Sequence, residues 1–172
     1  GELRQEMTNR FLALSHYGAD TGADAILFTC SAFGPCIEAC QAALAPLPVL
    51  KPNEALIDRC AEVGGTNARV GLLATFKQSL DTMPHEFRKA QPDFHIRAAL
   101  AVKALDALFA GDNQGHDRIA AKIAADNLAD CDVIALAQFS LSSAAEFVAK
   151  ATGKPTLTTP QTSVEKLKRI LS

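Results

Sequence analysis

The sequence lacks most features that would assign a chain to a specialised class. There is no basic excess: Lys and Arg total 17 against 19 for Asp and Glu, a formal charge of −2. That balance excludes the broad positive field on which nucleic-acid binding depends. Long apolar runs are missing too, because the hydrophobic stretches are short and cut by Gly, Pro or charge. With 21% charged residues, the chain fits neither a membrane span nor a disordered segment. The opening Gly1-Glu2-Leu3-Arg4 has none of the apolar core of a signal peptide. Neither a P-loop nor a Gly-x-Gly-x-x-Gly fingerprint occurs, which weighs against nucleotide binding. The five cysteines are odd in number and scattered, so a disulfide framework is not expected and a reduced, cytoplasmic setting is.

What is present is a chain of 172 residues, 48% hydrophobic, long enough to bury a core as one domain or two small lobes. Its periodicity alternates between helix and strand. Leu3, Met7, Phe11 and Leu14 recur at helical spacing, and Ala25-Ile26-Leu27-Phe28 reads as a strand buried on both faces. Helices are predicted over Pro35–Leu44, Asn53–Val63, Phe76–Lys89, Val102–Phe109, Asp117–Leu128, Ser142–Ala151 and Val164–Leu171. Strands are predicted at Pro48–Leu50, Arg69–Ala74, Phe94–Ile96, Val133–Ala137 and Pro155–Leu157. Such alternation points to parallel sheets flanked by helices, joined by right-handed crossovers.

An internal repeat organises the pattern. Sliding the chain so that Asn9 falls on Asp117 brings Arg10 onto Arg118, Asp24 onto Asp132, Ile26 onto Ile134 and Cys30 onto Gln138, without a gap. Glu38 then meets Glu146, and Pro48-Val49-Leu50 echoes Pro155-Thr156-Leu157. The strand Arg69–Ala74 has no counterpart ahead of Ala25, so the first lobe is expected to lack its first strand through N-terminal truncation. The expected organisation is a first lobe over 1–66, a second over 67–153, and a C-terminal strand and helix over 154–172 that complete the lobe pairing.

Parallel sheets bind ligands beyond the carboxyl ends of their strands. Three such ends carry chemistry: Thr29-Cys30-Ser31, Ala74-Thr75-Phe76 and Ala137-Gln138-Phe139-Ser140. Under the repeat, Cys30 and Gln138 should face each other across a cleft between lobes. A thiol just past a strand and just before a helix can be stabilised as thiolate by amide N–H groups and the helix dipole, and can serve as base or nucleophile. The alternative is a small buried apolar residue. Cys36 and Cys40 share a helix face but lack two further ligands for zinc. Cys60 and Cys131 read as packing residues. His16, His85, His95 and His116 form no metal-ligand pair and read as surface or interface residues.

The segment Ala23-Asp24-Ala25-Ile26-Leu27-Phe28-Thr29-Cys30-Ser31 resembles the first catalytic-cysteine segment of the aspartate/glutamate (hydantoin) racemase superfamily, which includes maleate isomerases and arylmalonate decarboxylases. Val70-Gly71-Leu72-Leu73-Ala74-Thr75 resembles the strand opening the second lobe, and Asp132-Val133-Ile134-Ala135-Leu136-Ala137-Gln138 the strand leading to the second catalytic position. The resemblance implies an α/β fold of two pseudo-symmetric flavodoxin-like lobes with parallel sheets. It implies Cys30 as the reactive thiol, acting on carbon next to the carboxylate of a small acid. Ser31 and Thr75 would bind that carboxylate, and Phe139 and Ser140 would add backbone amides or a hydroxyl. No metal, pyridoxal phosphate or other cofactor is implied, and no nucleic-acid or membrane partner; a homo-oligomer fits relatives that share a cleft.

One departure matters. Gln138 stands where the second cysteine of a two-base racemase would be, and an amide is no general base. A single thiol suits an isomerase that adds to an activated alkene or moves a proton on one face. It equally suits a one-thiol decarboxylase, and a degenerate, non-enzymatic carboxylate binder is the remaining alternative.

Overall fold

The computed structural model describes residues 5–30 and 33–172. Eight helices and six strands alternate along them. The first part contains α1 (Gln5–Asp20), β1 (Ile26–Leu27), α2 (Gly34–Leu44), β2 (Val49–Leu50) and α3 (Glu54–Gly64). The second contains β3 (Arg69–Ala74), α4 (Lys77–Ala90), β4 (His95–Leu100), α5 (Val102–Phe109), α6 (Asn113–Leu128), β5 (Val133–Leu136), a 3-10 segment at Phe139–Ala144, and α7 (Ala145–Thr152). The chain closes with β6 (Thr156–Thr158) and α8 (Thr159–Leu171).

Two parallel sheets result, a pair β1-β2 and a four-stranded sheet in the order β4-β3-β5-β6. Alternation along the central strands explains why the larger sheet is covered on both sides. Val70 and Leu72 of β3, with Val133 and Ala135 of β5, pack against Leu56 and Cys60 of α3 and Phe87 of α4. Leu73, Ile134 and Leu136 point the other way, onto Ala120, Ala124 and Leu128 of α6 and Val148 of α7. The alanine stripe lets α6 lie close to the sheet. Cys60 and Cys131 are buried in these two layers, as packing residues should be, and burial pushes the Cys60 thiol up to about 12.

The repeat is visible in the hydrogen bonding. Ile26 pairs with Val49 in the small sheet, and Ile134 pairs with Thr156 in the large one. Ile26 and Ile134 are equivalent under the sequence offset, and Val49 and Thr156 are the middle residues of the two matching short segments, one residue out of that offset. The amide of Ile26 donates to the Pro48 carbonyl at 2.8 Å, and that of Ile134 to the Pro155 carbonyl at 2.9 Å. Both halves therefore use one register.

The small sheet differs from expectation in one respect. Ile26, Leu27 and Phe28 are half-buried rather than buried, because β1 has a strand partner on one side alone among the described residues. Its cover comes from α1 and α2, with Phe11 stacked on Phe28 at a centroid distance of 5.3 Å.

The two parts are joined by packing and polar contacts. α3 lies on the larger sheet and against α8, where Lys166 reaches Asp58 at 2.9 Å. The Ser163 hydroxyl donates to the Pro52 carbonyl at 3.3 Å, and Asn53 Nδ2 donates to Glu86 Oε2 at 2.9 Å. These ties hold the β2–α3 turn against α4 and α8, and Pro52 of that turn lies where the carboxyl ends of both sheets meet.

Candidate active site

At that meeting point lies a cavity of about 660 Å³. Thr29 and Cys30 enter it from the end of β1, and both are exposed. Thr75 and Phe76 enter from the end of β3, and Gln138, Phe139 and Ser140 from the end of β5. The three strand ends singled out in the sequence thus line one hollow, with Cys30 and Gln138 on the same cavity wall set. Ser31, expected to hold substrate carboxylate, lies outside the described residues.

Gln138 is oriented by the neighbouring strand. Its Oε1 accepts from the Thr75 backbone N–H at 2.6 Å and from the Thr75 hydroxyl at 3.2 Å. Two donors on one oxygen define the amide orientation. Its Nε2 forms no hydrogen bond among the described residues, so Gln138 offers the cavity a donor. Thr75 is buried, and its hydroxyl is committed to Gln138. Thr75, expected to help hold a carboxylate, thus lies on the cavity wall with its backbone N–H and its hydroxyl both bonded to Gln138.

Ser140 is held from behind. His116, wholly buried on α6, has Nε2 3.1 Å from the Ser140 carbonyl and Nδ1 3.2 Å from the Ala104 carbonyl. His116, read from the sequence as a surface or interface residue, is interior to the fold. Its ring lies between two backbone carbonyls, one of which accepts from the ring N–H, and this contact ties α5, α6 and the 3-10 segment together. The 3-10 segment itself replaces the start of the helix predicted from Ser142.

The charged groups of the larger sheet sit at its opposite end. Arg69 pairs with Asp132 at 3.0 Å and Arg97 with Asp130 at 2.7 Å. The Arg69 side chain and amide both bond the Asp132 carboxyl and hold it below the usual carboxylate range. The cavity, by contrast, has no Lys, Arg, His, Asp or Glu on its wall among the described residues. Cys30 is the one thiol on that wall among the described residues, and the other four cysteines are buried.

A family model described as Asp/Glu/Hydantoin racemase matches residues 5–167. The chain belongs to the Asp/Glu/Hydantoin racemase family. Its fold is similar to that of glutamate racemase from Francisella tularensis subsp. tularensis SCHU S4 in complex with D-glutamate, with a TM-score of 0.70 at 15% identity, over 98% of this chain and 65% of that one. Unliganded arylmalonate decarboxylase gives 0.67 at 15% identity, over 100% of this chain and 78% of that chain. Allantoin racemase from Klebsiella pneumoniae gives 0.68 at 16% identity, over 96% and 66%. No curated protein sequence matches. At such identities the likeness is one of fold, and this chain spans about two thirds of the glutamate racemase, 65% of its length.

Within this family member, sequence reasoning missed one whole wall of the cavity. Gln78, Ser79, Thr82 and Met83 come from α4, and Leu105 and Phe109 from α5. The periodicity of these helices shows which face meets the sheet. It carries no sign that the N-terminal half of α4 and the end of α5 also border a cavity. Two large aromatics of that wall, Phe76 and Phe109, are exposed in the structure, which the sequence pattern does not reveal.

Proposed function

We propose that the cavity is the active site of a cofactor-independent, racemase-like isomerase that moves a proton at carbon next to the carboxylate of a small acid, with Cys30 as the reactive group. The observation that carries this reading is the presence of Cys30 and Gln138, equivalent under the repeat, in one cavity. The Cys30 thiolate takes the proton from carbon, and the C–H electron pair moves into the carboxylate as an enediolate. The Gln138 Nε2 donor stabilises an enediolate oxygen as negative charge develops there. Return of that proton from the thiol to the same face restores the starting centre, so inversion takes a proton from solvent water on the opposite face while the thiol releases the first proton to solvent.

Gln138 favours a second reading, a lyase. If the electron pair comes from loss of carbon dioxide instead of a proton, one thiol suffices to protonate the enediolate from one face. Incubating single-enantiomer 2-substituted acids and 2-substituted malonates with the chain in deuterated water distinguishes the two. Deuterium next to the carboxylate with inverted configuration and no gas release supports the isomerase; carbon dioxide with one stereospecific deuteron supports the lyase. Cys30→Ala should abolish either activity while changing stability by no more than about 1–2 kcal/mol. Undiminished turnover in Cys30→Ala removes both.

A further inference from the structure

A second cavity, of about 360 Å³, lies at the amino ends of β3 and β4, the opposite end of the larger sheet from Thr75 and Gln138. Strand register pairs Arg69 with His95 and Gly71 with Arg97, so Arg69, His95 and Arg97 project from one face of the sheet. Arg88 reaches the same cavity from the last turn of α4, and Asp130 from the turn between α6 and β5. Three guanidiniums thus share the wall with a single carboxylate, a surplus of two positive charges.

We propose that this cavity binds the phosphate group of a small phosphate ester, held by Arg69, Arg88 and Arg97. The carboxylates anchor two of the guanidiniums and leave donors over. Arg97 uses Nη1 alone for both oxygens of Asp130, at 2.8 and 2.7 Å, so its Nε and Nη2 have no partner among the described residues. Arg69 spends Nε and Nη2 on Asp132, which lies outside the wall, and keeps Nη1. Arg88 makes no hydrogen bond or ion pair among the described residues, and all five of its donors are open. A carboxylate is planar and one guanidinium fork satisfies it. A phosphate group has three terminal oxygens and up to two charges, and it suits donors that converge from two strands and a helix. The hollow is also larger than a bare phosphate fills, and it leaves room beside Phe94 and Ile96 for the rest of an ester. The site is separate from the cavity that holds Cys30, and the two have no lining residue in common.

The test titrates phenyl phosphate and inorganic phosphate calorimetrically, at constant ionic strength, into the native chain and into Arg88→Ala, Arg97→Ala and Arg118→Ala. Arg118 is an exposed arginine of α6 outside this cavity and serves as the control. All three side chains are exposed, so each variant should keep the native melting temperature. One phenyl phosphate should bind per chain, more tightly than inorganic phosphate. Arg88→Ala and Arg97→Ala should each weaken it about tenfold, the loss of one charge-assisted hydrogen bond, and Arg118→Ala should not. Absence of saturable binding, an equal loss in Arg118→Ala, or indifference to both cavity substitutions overturns the proposal. Inorganic phosphate binding as tightly as phenyl phosphate overturns the ester, because Phe94 and Ile96 would then contribute nothing. Iodoacetamide should label Cys30 at the same rate with phenyl phosphate bound; slowed labelling would put the ligand in the other cavity and overturn the site.

Discussion

The side-chain oxygen of Gln138 lies 2.6 Å from the backbone nitrogen of Thr75, so the residue replacing the expected second thiol is tied to the adjacent strand. The bond spans the carboxyl ends of β3 and β5, joining two of the three strand ends that meet at the cavity. It also fixes which end of the amide is available to a ligand. Gln138→Ala removes the acceptor from a buried N–H and should lower stability by about 1–3 kcal/mol in urea denaturation. Gln138→Glu keeps an acceptor for both Thr75 donors but loses the Nε2 donor and adds charge to the cavity that Cys30 also lines. It should therefore hold stability better than Gln138→Ala yet still lose turnover. Full activity in Gln138→Glu would show that the amide donor plays no part in the chemistry.

Thiol accessibility follows from the burial pattern. Cys36, Cys40, Cys60 and Cys131 are buried and Cys30 is exposed. Iodoacetamide should label one thiol in the native protein and all five after denaturation, with the native label on the Cys30 peptide by mass spectrometry. Rapid native labelling at a second cysteine would show that the α2 or sheet layers open far more readily than their packing implies.

Glu86 couples stability to pH. Burial pushes its carboxyl above the ordinary value of 4.5, and the Asn53 hydrogen bond and Lys51 offset this in part, while Glu54 and Glu38 add to it. The raised folded value means that the folded state holds a proton that the unfolded state has released. Glu86's contribution to stability is therefore fully present below about 4.5 and declines as pH rises through the higher folded value. Asn53 Oδ1 is buried without a partner and could accept from a protonated carboxyl or an amide at position 86. Glu86→Gln should thus raise stability at pH 8 relative to pH 4 when both proteins are unfolded in urea. Parallel pH profiles for the two proteins would contradict this account.

Much of the architecture was legible because local pattern and tertiary role agree. Arg69–Ala74 and Val102–Phe109 were predicted to the residue, since a continuous apolar run and an amphipathic turn pattern each have one good solution. The equivalence of Cys30 and Gln138 came from the repeat, and the shared register of Ile26 with Val49 and Ile134 with Thr156 is its structural counterpart. Other features have no local signature. Phe139–Ala144 turns as 3-10 where the chain leaves β5, and His116 is interior because carbonyls from distant segments converge on it. Phe109 joins the cavity only because α5 ends beside α4, a relationship set by the order of the strands.

Gly71 shows how the sheet layer supports the site. It lies mid-strand in β3, facing α6, where a Cβ would stand 3.1 Å from Leu128 Cβ and 3.2 Å from Cys131 Sγ. Those contacts are too tight for a methyl group, so glycine lets the C-terminal turn of α6 approach β3 closely. The other end of α6 carries His116, which holds the Ser140 carbonyl at the cavity. Gly71→Ala should cost about 1–3 kcal/mol in denaturant titration, the usual range for overpacking a filled core. In a Cys131→Ala background the sulfur contact is gone but the Leu128 Cβ stays in place, so Gly71→Ala should cost less there than in the native protein, though not nothing. Full additivity of the two substitutions would mean that the added methyl group is accommodated elsewhere, and that α6 does not depend on this close approach.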